Sequence, residues 1–325
     1  MRSALHDVFG DPAEVLHCGD SPVPTPAAGE VRIRTTLATV HNHDLWTIRG
    51  RYGYKPVLPA IAGSEGTGVV DALGEGVEGL RVGQRVSAAS VHGSWAEYFV
   101  APARMVIPMP DTLPDELAAQ VVAMPLSALM LLEFLDLPEG AWILQNAAGG
   151  AVGKALAMLA AARGLHVVSL VRSEEGIAAL RALGIDNVIA TSAPDWAEAV
   201  EAATRGAPIA AAVDSVGGSA SGALLRQLGE GGTLVSFGAL SGESMHIGSG
   251  DMIFKRATVK GFWGSKTSAE MPVADKRRLV AELLARAASG ELRLPVEGIF
   301  DLGDVTAAAA ASVCPGRHGK ILLRP

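Results

Sequence analysis

The chain has 325 residues, with 49% hydrophobic and 19% charged residues. It is long enough for two domains with substantial cores. Its formal charge of −7 argues against nucleic acid or an anionic membrane as a partner. The only two cysteines are Cys18 and Cys314, almost at opposite ends, which argues against a disulfide framework and fits a reducing cytoplasm.

The first residues carry no apolar signal core. Prolines at positions 22, 24 and 26 mark an extended linker. Residues Val31–Leu37 then alternate with period two, as a half-buried strand does. Ala62–Gly74 and Val82–Ala88 continue this β-rich texture, with glycine at the turns. The longest apolar run, Val121–Leu132, contains Pro125 and is too short to span a bilayer.

The texture changes at Pro114, which opens a helix with acidic residues in its first turn. Six strands are expected in alternation with helices: Trp142–Gln145, Leu165–Val171, Asn187–Ala190, Ile209–Asp214, Thr233–Phe237 and Thr258–Phe262. Six such strands suit a doubly wound parallel sheet. Lys276–Ser289 reads as an amphipathic helix ending at Gly290. From Ile299 to Leu323 the tail returns to short β-like elements, so both ends are expected to build one domain around an inserted one.

Between the first two strands of that sheet lies Ala148-x-Gly150-x-x-Gly153, a dinucleotide fingerprint whose first glycine is alanine. An apolar strand precedes it and a helix of small residues follows. Free backbone N–H groups and the helix dipole at such a start attract a pyrophosphate. Asn146, Gly149, Gly150, Ala151, Val152 and Gly153 are therefore candidate cofactor contacts. The next strand ends in Arg172 and Ser173 where NAD sites usually place an acid. Arginine there suits the 2′-phosphate of NADP, so NADPH is the expected cofactor. An ordinary solvated surface charge is the alternative for Arg172. Glu174 and Glu175 read as first-turn helix acids.

Further motifs at Asn42–Gly53, Gly63-Ser64-Glu65, Ser215–Gly218, Leu225–Thr233, Ile253–Lys255 and Gly261–Trp263 complete a pattern. With them the chain resembles the zinc-independent medium-chain dehydrogenase/reductase superfamily, along essentially its whole length. The likeness is greatest to mitochondrial-type trans-2-enoyl-thioester reductases and then to quinone oxidoreductases. The resemblance implies an α/β protein: a GroES-like, β-rich catalytic domain (1–118 and 266–325) and a Rossmann domain with a doubly wound parallel sheet (119–265). It also implies a homodimer and a small-molecule substrate.

By position in the family, Tyr52 would polarise the substrate carbonyl, with Tyr54 as its rival and a packed loop residue as the alternative. Ser127, Phe237, Gly238, Ala239, Leu240, Phe262, Trp263, Gly264 and Lys320 would approach the cofactor. Phe262 and Trp263 could equally be core or interface aromatics, and Lys320 a surface lysine. Ser64 replaces the zinc-ligating histidine of the family's Gly-His-Glu motif, and no cysteine lies mid-chain, so zinc-free chemistry is expected. His41 and His43, read as sharing one face of a strand, would line the substrate cleft; with Glu65 they leave a metal site as a lesser alternative.

Met124 stands where the enoyl reductases carry an asparagine, and their second tryptophan after Phe-Trp is absent. The implied activity is NADPH-dependent reduction of an activated C=C bond, most directly of trans-2-enoyl thioesters, with hydride passing to the β-carbon. The alternatives are a quinone or enone oxidoreductase on the same scaffold, or a non-catalytic NADPH-binding redox sensor.

Overall fold

A computed structural model describes residues 1–325 and divides them into two compact units. One comprises Met1–Ala123 and Leu294–Pro325, the other Met124–Arg293.

The first unit is organised around the strand Glu30–Thr39, whose Val31 and Ile33 are buried between more exposed arginines. This strand pairs antiparallel with Glu65–Leu73, with Tyr98–Pro102 and with Lys320–Arg324, so it meets neighbours from both ends of the chain. Close pairing requires Gly68, because an added Cβ there would stand 2.1 Å from the carbonyl oxygen of Arg34. The seven-stranded sheet also holds Val296–Asp301, Arg85–Ala89 and Val106–Pro108. Val31, Ile33, Val70, Val86 and Phe99 form one core, and Leu45, Ile48, Trp95 and Leu323 belong to a second.

The second unit is a six-stranded parallel sheet. Its spatial order is Val188–Ala190, His166–Val171, Trp142–Gln145, Ile209–Asp214, Leu228–Ser236 and Thr258–Gly261. In chain order this is 3-2-1-4-5-6, the doubly wound arrangement, with its topological switch between the first and fourth strands. Leu144, Val168, Ala212 and Leu234 fill the core.

Three expectations need correction. The expected domain boundaries at 118/119 and 265/266 give way to divisions after Ala123 and after Arg293. The helix Val273–Ala288 therefore belongs with the parallel sheet. It buries Leu279, Leu283 and Ala287, and its Glu282 forms a two-pronged ion pair with Arg163 at 3.1 and 2.7 Å. Arg278 reaches Glu133 at 2.9 Å. Secondly, the tail is not only β-like: Val305–Val313 is a helix, in keeping with the helix propensity of its alanine run. Thirdly, His41 and His43 lie not on a strand but at the start of the helix Asn42–Ile48, where Asp44 accepts the N–H of His41 at 3.0 Å.

No helix is long and apolar enough to cross a membrane. Leu283 is 1% exposed, so Leu283→Ala should destabilise the protein by about 2–5 kcal/mol. Chemical denaturation checks this; an unchanged midpoint would mean that the helix contributes no core.

Candidate active site

The central strand Trp142–Gln145 delivers the chain to the turn 146–150, and the twelve-residue helix Ala151–Ala162 begins at once. Gly150 is the N-cap, extended at φ −72°, and no side chain caps the helix. Gly149 and Gly150 are exposed, and an added Cβ at Gly149 would meet nothing within 4 Å. Gly153 is different: a Cβ there would lie 2.7 Å from Ala148 Cα and 2.8 Å from its oxygen, so this glycine lets helix and turn touch. Open backbone at the positive end of a helix fits a pyrophosphate. Gly149, Gly150, Ala151, Val152 and Gly153 are brought together there.

Asn146 has a different setting. Its Nδ2 donates to Asp214 Oδ1 at 2.6 Å, and its Oδ1 accepts from the N–H of Ser215 at 2.7 Å. Asp214, fully buried at the end of its strand, also accepts from the N–H groups of Val216 (2.9 Å) and Gly217 (3.1 Å) and from Ser221 Oγ (2.5 Å). Its main-chain oxygen accepts from the N–H groups of Phe237 (2.8 Å) and Gly238 (3.1 Å). One carboxylate and one amide thus tie three strand-end loops together. The lone acid ending an apolar strand was the signal for Asp214, but its partners were not visible in the sequence.

Arg172 is exposed just beyond the strand His166–Val171, and Ser173 is the N-cap of Glu174–Arg181. Arg172 is therefore at the strand end where a 2′-phosphate is recognised. At the far side of the sheet, Ser127 Oγ lies against Gly264, 3.2 Å from where a Cβ would stand. Phe262 is buried, with its ring centroid 5.9 Å from Phe237 and 5.3 Å from Phe134, so it packs in an aromatic cluster. Ala239 lies in the loop between them, whereas Leu240 and Trp263 are exposed.

In the β-rich unit, Lys320 is not a surface lysine. Its strand register buries it, and Nζ lies 3.3 Å from the carbonyl of Val40 and 3.1 Å from His41 Nδ1. His41 Nε2 meets Glu65 Oε2 at 2.7 Å, while Glu65 Oε1 accepts from the N–H groups of Val122 (3.0 Å) and Ala123 (2.8 Å). Lys320 donating to Nδ1 makes Nε2 the protonated nitrogen, which donates to Glu65. Burial holds His41 well below its ordinary pKa and pushes Glu65 up to about 7. No group of three His, Cys, Asp or Glu side chains is arranged to hold a metal ion.

Beside this chain, His43 Nε2 bonds Ser64 Oγ at 2.7 Å. The His43 ring stacks on His41, centroids 5.0 Å apart, and packs against Tyr52 at 5.6 Å. Tyr54 stacks on His92 at 4.1 Å instead, which separates the two tyrosines by environment. The phenol of Tyr52 thus belongs to a polar cluster that can donate a hydrogen bond or a proton.

A family model described as alcohol dehydrogenase GroES-like domain matches residues 27–111, and one described as zinc-binding dehydrogenase matches 151–280. The chain is 30% identical to the human mitochondrial enoyl-[acyl-carrier-protein] reductase over 99% of its own length and 88% of that protein's. It is 31% identical to the Caenorhabditis elegans enzyme of the same name, over 90% and 86%. Among solved structures, a Pseudomonas syringae quinone oxidoreductase superposes with a TM-score of 0.89 at 28% identity, covering all of both chains. Mycobacterial Rv1454c, solved with NADPH, gives 0.89 at 29%, also over the whole of both. Whole-length identity to the enoyl reductases, the two matched domains and the 3-2-1-4-5-6 sheet have one common explanation: the chain belongs to the zinc-independent medium-chain dehydrogenase/reductase superfamily of oxidoreductases.

Proposed function

We propose that this protein is an NADPH-dependent reductase of activated carbon–carbon double bonds, acting on trans-2-enoyl thioesters. The observation that carries the cofactor assignment is the open, uncapped helix start at Gly149–Gly153 with Arg172 at the neighbouring strand end. Supporting the substrate class are the names of the curated relatives, which match along almost the whole chain.

In this reading the Gly149–Gly153 turn holds the pyrophosphate, Arg172 and Ser173 the 2′-phosphate, and the loop 237–240 with Ser127 and Gly264 the nicotinamide end. Asn146 acts by fixing those loops through Asp214. NADPH, when bound, supplies the hydride for the β-carbon. Tyr52 donates a hydrogen bond to the oxygen of the developing enolate and gives its proton to the α-carbon. A phenol suits this because its reference pKa of about 10 keeps it protonated at neutral pH.

The quinone oxidoreductase reading is favoured by the solved relative of that name. It differs in not requiring Tyr52. A cytoplasmic location is in keeping with the two free cysteines. We also assign a homodimer formed through the edge strand Thr258–Gly261. All four of its residues are exposed, and Ile253 (65%), Phe254 (85%) and Trp263 (57%) leave apolar surface near that edge.

Three measurements check these assignments. NADPH oxidation with a medium-chain trans-2-enoyl-CoA should be rapid, and Tyr52→Phe should lower kcat by about 10²–10³. Activity confined to quinones and indifferent to Tyr52→Phe would select the other reading. Arg172→Ala should weaken NADPH binding about ten- to a hundredfold, the loss of a charge-assisted hydrogen bond, and leave NADH unaffected. Equal losses for both cofactors in a fluorescence titration would remove Arg172 from the 2′-phosphate. Sedimentation should give a dimer that Phe254→Glu dissociates; a monomeric wild type would refute the edge pairing.

A further inference from the structure

We infer that His43 is the group that returns a proton to Tyr52 after each turnover. The inference rests on the reading of Tyr52 as the acid that protonates the enolate.

A phenol that gives up its proton is left as a phenolate, and the next cycle waits until that proton is replaced. The replacement needs a titratable group against the tyrosine that is also open to water. His43 packs its ring against Tyr52 with centroids 5.6 Å apart and planes inclined by 30°. Its side chain is 26% exposed. Nε2 is held by Ser64 Oγ at 2.7 Å, which fixes the ring and leaves Nδ1 as the edge for proton exchange.

The other histidines do not meet both conditions. His41 has no exposed side-chain surface, and both its nitrogens are used by Glu65 and Lys320. His92 is stacked on Tyr54. The charged and titratable groups around His43 come from several elements. Asp44 on the same helix has Oδ1 3.5 Å from Nε2. His41 stacks on the His43 ring and itself bonds Lys320 and Glu65. Ser64 is uncharged, so Asp44 is the nearest carboxylate.

The step balances. Hydride arrives at the β-carbon, and the resulting enolate takes the Tyr52 hydroxyl proton at its α-carbon. The phenolate oxygen then takes a proton from the imidazolium of His43, across a hydrogen bond or one bridging water, and His43 regains a proton from solvent. One external proton is consumed for each hydride transferred.

The test is His43→Phe, which keeps a ring beside Tyr52 and removes the titratable nitrogens. With NADPH and a medium-chain trans-2-enoyl-CoA, kcat should fall about 10²-fold. KM should change less than threefold, and the alkaline limb of the pH profile of kcat should disappear. Added imidazole should restore part of the lost rate. If kcat and the pH profile stay at wild-type values while Tyr52→Phe is inactive, the inference is wrong and the role of Tyr52 stands. A slow His43→Phe enzyme with the wild-type pH profile and no imidazole response makes His43 a packing residue and also overturns it. A fully active Tyr52→Phe removes the reading on which the inference rests. Should His43→Phe fail to fold, Ser64→Ala takes its place: a displaced alkaline limb supports the relay, and an unmoved limb overturns it.

Discussion

The strand-end rim of the parallel sheet depends on a carboxylate that has no access to water. Asp214 collects donors from Asn146, from its own following turn and from Ser221, while its main chain receives the loop that begins at Phe237. A buried carboxylate is tolerated only when its lone pairs are filled, and the partners here come from the turn after the first strand, from the turn that follows Asp214 and from the helix Ser219–Gln227. The loops are therefore held in position before any ligand arrives. That matters for an enzyme whose own contribution is chiefly orientation and electrostatics, with the hydride coming from its cofactor.

The β-rich unit solves a related problem with three ionisable groups in line. Lys320, His41 and Glu65 are buried, and each satisfies the next, ending on two backbone N–H groups. Deleting one member of such a row leaves a buried polar group without its partner, at a cost of about 1–3 kcal/mol. The row also supplies a fixed ring on which His43 stacks, so the polar cluster around Tyr52 is built outward from a rigid interior.

Much of the nucleotide unit was legible because its constraints are local. Glycine at 150 and 153 between a strand and a small-residue helix states its own geometry, and two of the six strands fell on their expected limits, Trp142–Gln145 and Ile209–Asp214. What was not legible depends on partners distant in sequence. An amphipathic helix at 273–288 declares an apolar face but not which sheet it covers, and this moved the second boundary. Lys320 looks like any lysine until the antiparallel pairing of its strand with Glu30–Thr39 brings it to Val40 and His41. Asn146 reads as a cofactor contact, and nothing in its neighbourhood along the chain reveals its bond to Asp214. The pairing of His43 with Ser64 joins two segments that each stood out alone, but nothing along the chain shows that they meet.

The interrupted order of the β-rich unit has a consequence for biosynthesis. The parallel sheet is encoded by one uninterrupted segment, Met124–Arg293, and can close as soon as that segment has left the ribosome. The strand Glu30–Thr39 emerges far earlier, yet one of its neighbours, Lys320–Arg324, is translated after the entire inserted unit. Until then Val40 and His41 have no lysine beside them and the sheet keeps a raw edge. The second unit to be encoded is thus the first able to finish, and the nascent β-rich half must stay open, and shielded from wrong pairing, for most of the time the chain is being made.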